Sequence, residues 1–240
     1  MNETNTTMTS APRYRPVNFG VTRVNLRDAA DGVRYLQADL PLGAYARRVT
    51  DFLVHWAEPT PDHSFVARRA PLAGGGTGDW PHVTYSEALE AARSIGQALL
   101  NRGLSADRPV LILSENSLEH ALMALGCLYA GVPYCPVTPA YATASQDYDK
   151  LRHVVSTLTP GLVYATDGAR FGKALQATLD DSVEVVLNYG HIDGRATTPF
   201  ADLRATAATP AVDAAMHATG PGTIVKALVT SGSTKLPNPG

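Results

Sequence analysis

The sequence has little of several features that mark specialised classes of protein. Only two cysteines occur in 240 residues, Cys127 and Cys135, which are too few for a disulfide framework and lack the spacing of metal ligands. The 20 Lys and Arg residues are balanced by 22 Asp and Glu, so no excess of positive charge is available to hold nucleic acid or anionic lipid. No apolar run approaches the roughly 18 residues that span a bilayer. These absences predict a soluble, cytoplasmic α/β protein with neither nucleic acid nor a membrane as partner.

The chain also lacks the composition of a disordered protein. Gly (20) and Pro (17) together make up 37 of the 240 residues, well below the roughly 25–30% that is typical of low-complexity disorder. Residues 1–12 are the exception, because they are rich in Asn and Thr and contain no apolar stretch. We therefore predict a disordered tail over residues 1–12, without the apolar segment of a secretory signal, and a folded region from residue 13 onward.

Beyond the tail, predicted strands and helices alternate. The helices are predicted over residues 44–58, from Thr84, from Ser117, over 147–158 and over 169–179; the strands are predicted over 64–69, 108–114, 132–137, 162–166, 183–188 and 224–230. Residues 138–146 are predicted as a loop, and residues 196–222 as a connector with short helical pieces. This alternation predicts an α/β fold in which a mostly parallel sheet carries helices on both faces.

Local signals support two of the helices. Val49, Phe52, Leu53 and Trp56 recur at the spacing of one apolar helical face. Thr84 and Glu87 fit a capping box, and Gly103 can supply a left-handed C-terminal cap for the helix that they open.

One segment combines residue types that suit a chemical task. The strand predicted over 224–230 leads into a run of small residues, Thr230, Ser231, Gly232, Ser233, Thr234 and Lys235. Small side chains allow consecutive backbone amides to point into one concavity, hydroxyls donate to phosphate oxygens, and lysine adds positive charge. A solvated loop is the alternative, because this segment matches neither the Walker pattern nor the nucleophile elbow.

Other polar and aromatic residues are weaker candidates. His120 and His153 lie on predicted helices without a carboxylate at ligand spacing, so we expect ordinary surface or packing roles. Cys127 is expected to be a small buried residue. Tyr134, Tyr141 and Tyr148 either line a pocket or pack in the core and at its rim, and the sequence favours packing.

The segment from Val229 to Pro237 resembles the phosphate-binding signature of the adenylate-forming superfamily, which includes acyl-CoA synthetases, peptide-synthetase adenylation domains and luciferases. Three earlier stretches, beginning at Val83, Arg108 and Leu128, resemble other family blocks in the correct order. Lys235, in place of the usual glycine, is similar to the feruloyl-CoA synthase branch. The opening stretch from Val17 and the stretches at residues 151–154 and 158–163 are similar to it as well.

The resemblance implies ATP-dependent activation of a carboxylic acid through an acyl-adenylate, followed by transfer to CoA, with Mg²⁺ accompanying ATP. It implies that Thr230 through Lys235 hold the phosphates of ATP, and that the acid is aromatic, a hydroxycinnamate such as ferulate. It assigns no catalytic residue and no metal ligand, and it leaves the oligomeric state open.

The resemblance ends within three residues of Gly240, where Asn238 follows Pro237 in place of the family's lysine. Residues 13–240 are accordingly expected to form the partial N-terminal domain of such a ligase, truncated after the phosphate-binding loop. Two alternatives remain at this point: a non-catalytic truncated remnant, and a separate nucleotide- or phosphate-binding α/β module.

Overall fold

The computed structural model describes residues 17, 23–70, 76, 78–144 and 147–230. The chain forms two compact units, residues 1–45 and residues 46–240. In the first unit, strands β1 (Val24–Asp28) and β2 (Arg34–Ala38) pair as an antiparallel hairpin. Gly32, with φ of +82°, occupies the left-handed conformation that the turn between the strands requires.

The second unit alternates helices and strands along the chain. Its elements are α1 (Val49–Ala57), β3 (Ser64–Ala67), β4 (His82–Thr84), α2 (Tyr85–Asn101), β5 (Val110–Leu113), α3 (Leu118–Ala130), β6 (Tyr134–Val137), α4 (Ala140–Thr143), α5 (Asp149–Leu158), β7 (Leu162–Asp167), α6 (Gly168–Thr178), β8 (Glu184–Tyr189), β9 (Thr198–Pro199), α7 (Phe200–Arg204) and α8 (Pro210–Ala218). Strands β3 and β4 form a small antiparallel pair. The other five strands form one parallel sheet in the order β6-β5-β7-β8-β9.

Helices cover both faces of the parallel sheet. One face, which carries Ile112 and Tyr164, packs against α2, α3, α7 and α8. The other face, which carries Leu111 and Val163, packs against α4, α5 and α6. All four residues of β5 are fully buried, because this strand has neighbours on both sides and helices above and below. The predicted α/β fold with a parallel sheet is confirmed.

The predicted helix caps are also confirmed. The Thr84 hydroxyl accepts a hydrogen bond from the Glu87 amide, and the Glu87 carboxylate accepts one from the Thr84 amide at 2.8 Å. Gly103 follows α2 in the left-handed conformation, with φ of +64°. Ser117 caps α3 through the His120 amide, and Gly131 ends that helix with φ of +69°.

The predicted first helix differs from the observed one in its start and in its buried face. Helix α1 begins at Val49, and of its side chains only Thr50 and Leu53 are buried. Val49, Phe52 and Trp56, which were predicted to share the buried face with Leu53, are exposed. The helix contacts α2 and α3, and this packing buries Thr50 and Leu53 but leaves the rest of the apolar stripe exposed.

Three further predictions need correction. The loop predicted over residues 138–146 contains α4, and the connector over 196–222 contains β9 together with α7 and α8. The segment predicted as a strand over 224–230 forms no regular strand in the described part of the chain: it carries isolated bridge residues at Lys226, which pairs in parallel with Tyr134, and at Val229. Ile224 and Leu228 are exposed, so the apolar run lacks the cover that would bury a regular strand on both faces.

Candidate functional site

The carboxyl edge of the parallel sheet forms a crevice next to β5. The chain passes from β5 to its neighbour β6 on one side, and then crosses to β7 on the other side of β5. At such a change of direction the loops that follow the two adjacent strands diverge and leave room for a ligand. The fold therefore places the natural binding position of an α/β protein at the ends of β5 and β7.

Polar residues from four parts of the chain line this crevice. Its volume is about 600 Å³, and its lining includes Ser114 and Asn116 after β5, His120 on α3, Thr138 after β6 and Arg68 after β3. The lining supplies an amide, hydroxyls, an imidazole and a guanidinium. These groups suit a polar or anionic ligand, since the Asn116 amide and the Arg68 guanidinium can both donate hydrogen bonds to it.

Hydrogen bonds hold the floor of the crevice in place. The Thr166 hydroxyl, at the end of β7, donates to the Ser114 hydroxyl at 2.6 Å, and Ser114 donates to the Glu115 carbonyl at 2.6 Å. The Glu115 carboxylate forms an ion pair with Arg170 on α6. Beneath them the Tyr164 ring is fully buried, and burial raises the pKa of its hydroxyl. The floor thus joins two strands and a helix.

The His120 ring is held by the same loop. Its Nδ1 lies 3.2 Å from the Glu115 carbonyl oxygen, which can only accept, so Nδ1 carries the proton of this hydrogen bond. Burial lowers the pKa of His120. Burial therefore favours the neutral form of the ring, in which Nε2 is an acceptor.

The predicted phosphate-binding segment begins at this edge of the sheet. The segment before it runs parallel to β6: the Tyr134 amide donates to the Val225 carbonyl at 3.2 Å, and the Ala227 amide donates to the Tyr134 carbonyl at 3.0 Å. The ammonium of Lys226 lies 5.5 Å from the centre of the Tyr134 ring. Because this segment and β6 run in the same direction, Thr230 lies toward the carboxyl ends of the strands. Ser231, Gly232, Ser233, Thr234 and Lys235 lie outside the described residues.

The other residues singled out from the sequence are not part of the lining of the crevice. Cys127 is buried in the core as predicted, and Tyr134 is buried there as well. Tyr141 and Tyr148 are partly buried against the core, as the sequence favoured, and they also line a separate cavity of about 370 Å³. His153, on α5, does not line the crevice.

Sequence reasoning missed Ser114, Asn116, Thr138 and the position of His120 in the crevice. A signal was present, since Ser114 and Thr138 directly follow predicted buried strands and parallel strands end at a common edge. Within the part of the chain that the structure describes, no group of three His, Cys, Asp or Glu residues could hold a metal ion. The described helices include none that is long and apolar enough to cross a membrane.

Comparison with known proteins identifies the family and supports the fold. The family model of AMP-binding enzymes matches residues 53–237, which is more than half of the chain. The chain belongs to the AMP-binding enzyme family. Bacitracin synthase 1 of Bacillus licheniformis is 31% identical over 150 residues, which are 59% of this chain and 3% of that protein.

Solved structures resemble this AMP-binding chain in fold. A benzoate CoA ligase from Burkholderia xenovorans superposes with a TM-score of 0.57 at 20% identity, over 81% of this chain and 34% of that one. A fatty acyl-adenylate ligase from L. pneumophila, solved with acyl adenylate and pyrophosphate, gives 0.55 at 18% identity, over 81% and 30%. The chain thus spans well under half the length of these relatives.

Proposed function

We propose that this AMP-binding chain takes part in ATP-dependent activation of a carboxylic acid, with the phosphates of ATP bound by Thr230 through Lys235. In this reaction ATP supplies the α-phosphate that the acid attacks, pyrophosphate leaves, and the thiol of CoA then displaces AMP from the acyl-adenylate. The proposal treats residues 13–240 as one part of the adenylation domain of a longer ligase.

The residues of the segment have distinct parts in this proposal. The hydroxyls of Ser231, Ser233 and Thr234 would donate to the phosphate oxygens, and one Ser or Thr hydroxyl would help to hold the Mg²⁺ that accompanies ATP. Gly232 has no side chain, so the backbone amides can approach the phosphates. Lys235 supplies a charge that neutralises part of the triphosphate.

The position of the lead-in segment carries the proposal. Its hydrogen bonds to Tyr134 align it with β6, so that Thr230 comes to the edge of the sheet where the crevice lies. The Glu115 carboxylate in the lining of the crevice is paired with Arg170, and Arg68 and Asn116 in the same lining can donate hydrogen bonds to an anion. The described part of the site therefore fits the phosphate groups.

The nature of the acid is a finer proposal. Lys235 and the stretches that resemble the feruloyl-CoA synthase branch support an aromatic hydroxycinnamate such as ferulate. The related proteins differ in what they act on, since one is named a benzoate ligase and another a fatty acyl-adenylate ligase. The substrate class therefore rests on the sequence resemblance.

Binding of MgATP to the whole chain tests the phosphate site directly. Equilibrium dialysis with radiolabelled ATP is expected to show saturable binding that pyrophosphate displaces. Lys235→Ala removes one charge-assisted interaction and is expected to weaken binding by roughly tenfold or more. Lys173→Ala, on the exposed face of α6, is the matched control and leaves the affinity unchanged.

Two results would contradict the proposal. ATP binding of equal affinity in Lys235→Ala and the original chain would remove this segment from the site, and so would a lack of displacement by pyrophosphate. Formation of an acyl-adenylate is assayed separately, with ferulate and with a fatty acid. Pyrophosphate-sensitive ATP binding without adenylate formation from any acid would favour the alternative of a nucleotide-binding module.

A further inference from the structure

A tight turn, closed by a threonine, connects α8 to the segment that leads into Thr230. Helix α8 ends at Ala218, and the Thr223 amide donates a hydrogen bond to the Gly220 carbonyl at 2.9 Å. In return the Gly220 amide donates to the Thr223 hydroxyl oxygen, also at 2.9 Å. A backbone and a side-chain hydrogen bond therefore join the two ends of the turn and fix the residue at which it ends.

The start of this turn is held against the rest of the unit. Thr219 is only 7% exposed, and its hydroxyl donates to the Met216 carbonyl at 2.8 Å. Its Cγ2 lies close to Gly131 at the end of α3, where a Cβ would be only 2.9 Å away. The Arg47 guanidinium packs against Gly220, where a Cβ would lie 2.8 Å from Nη2. The turn therefore begins at a fixed point.

After the turn, the lead-in segment (residues 224–229) lies along β6 in one register. Lys226 forms the parallel bridge with Tyr134, and its ammonium lies 5.5 Å from the centre of that ring. Ala227 and Val229 pack against the core on the other face of the sheet from Tyr134. A slip of one residue would turn Lys226 toward that apolar core and would remove Ala227 and Val229 from it.

The pairing with β6 is short for a segment that must keep its register. The lead-in segment has isolated bridge residues in place of a continuous ladder, and Ile224 and Leu228 are exposed. Its hydrogen bonds to Tyr134 come from two positions, Val225 and Ala227. The fixed turn lies directly before these positions, because Thr223 is three residues before the bridge at Lys226.

We propose that Thr223 is a positioning residue for the phosphate-binding segment. Its hydroxyl fixes the end of the turn, the turn determines the register of the lead-in segment on β6, and this register brings Thr230 to the crevice in one orientation. The inference rests on the proposed function, because it concerns how Thr230 through Lys235 meet the phosphates of ATP. Thr223 acts through the backbone and touches no substrate.

Hydrogen exchange of the Ala227 amide tests the register without any ligand. Thr223→Val keeps the shape of the side chain and removes the acceptor, so this amide is expected to exchange about fivefold faster. Thr223→Ser keeps an acceptor and is expected to exchange as the original chain does. Thr206→Val loses a threonine hydrogen bond elsewhere, to the Asp202 carbonyl at 3.1 Å. It is the matched control and leaves the exchange of Ala227 unchanged.

Equilibrium dialysis with radiolabelled MgATP tests the effect on the phosphate site. Thr223→Val is expected to raise the dissociation constant about fivefold, whereas Thr223→Ser and Thr206→Val leave it unchanged. The two valine variants are expected to unfold at matching temperatures, since each loses one threonine hydrogen bond. A loss of affinity at matched thermal stability distinguishes a positioning role from a general loss of structure.

The outcomes separate this inference from the proposed function. An unchanged exchange rate of the Ala227 amide in Thr223→Val would overturn the inference. An unchanged dissociation constant in Thr223→Val, while Lys235→Ala still weakens ATP binding, would overturn the inference and leave the proposed function intact. A lack of ATP binding by the original chain would overturn both.

Discussion

The packing of α2 against α3 depends on Gly126, and replacing this residue with alanine tests the account of the core. A methyl group at Gly126 would lie 2.4 Å from Ile95 Cγ2 and 2.7 Å from Ile95 Cβ, with the Gly96 amide nitrogen at 3.3 Å. Ile95 is fully buried. Because its Cβ is itself too close, a change of rotamer cannot relieve the overlap, and the two helices must move apart.

Two opposing effects determine how much Gly126→Ala lowers the free energy of unfolding. Alanine is favoured over glycine inside a helix by about 1 kcal/mol. Overpacking a tight core costs about 1–3 kcal/mol, and the upper end applies because the collision involves an atom next to the backbone. The net loss in the free energy of unfolding is therefore about 2 kcal/mol. For a unit of this size it lowers Tm by about 4–8 °C.

Urea denaturation followed by circular dichroism measures this loss. Gly172→Ala on α6 is the matched control, since a methyl there meets Ile192 Cγ1 at 3.2 Å and Cγ2 at 3.4 Å, a much milder crowding. We expect its stability to remain within about 1 kcal/mol of the original chain, because the gain in helix propensity offsets a small adjustment. An unchanged or raised denaturation midpoint for Gly126→Ala would refute the reasoning.

Three further outcomes are expected. Gln97→Ala removes the buried acceptor that holds the Thr209 amide at 3.1 Å and the Thr209 hydroxyl at 2.7 Å. Urea denaturation should therefore show that the free energy of unfolding falls by about 1–3 kcal/mol, and a fall smaller than the lower end of that range would contradict the prediction. Hydrogen bonds from Arg93 lower the pKa of Asp213, so this carboxylate contributes stability above its unfolded-state pKa that is lost as pH falls through its folded-state pKa. Asp213→Asn should accordingly flatten the acid limb of a plot of stability against pH, and an unaltered limb would contradict this. Burial raises the pKa of both cysteine thiols. Ellman's reagent should therefore label neither cysteine in the native chain at pH 8, and it should label both cysteines in denaturant. Rapid labelling of the native chain would contradict the burial of these thiols.

The features of the fold that were predictable from sequence are those that neighbouring residues determine. Thr84 and Glu87 are three positions apart and form a capping box whatever else the chain does. Gly131 ends α3 because it alone tolerates the left-handed conformation there without strain. The apolar run at β5 is short and continuous, which predicts a strand that is buried by helices on both faces of the sheet.

Features that depend on distant parts of the chain were not predictable in this way. Val49 and Leu53 follow the same helical spacing, yet only Leu53 is covered, since the shape of α2 and α3 decides how much of the stripe they bury. Ile224 belongs to an apolar run typical of a strand, but a strand also needs a neighbour along its length. Here the described residues form isolated bridges at Lys226 and Val229 in place of a continuous ladder.

The crevice shows most clearly why strand ends do not by themselves define a site. The sequence identified where β5 and β7 end, but their pairing and register come from the assembled sheet. Leu113 pairs with Ala165 across these strands, so the next residues, Ser114 and Thr166, fall side by side. Their 2.6 Å hydrogen bond joins positions 52 residues apart. A shift of one residue in this register would turn one of the two hydroxyls to the other face of the sheet, and the floor of the crevice would be lost.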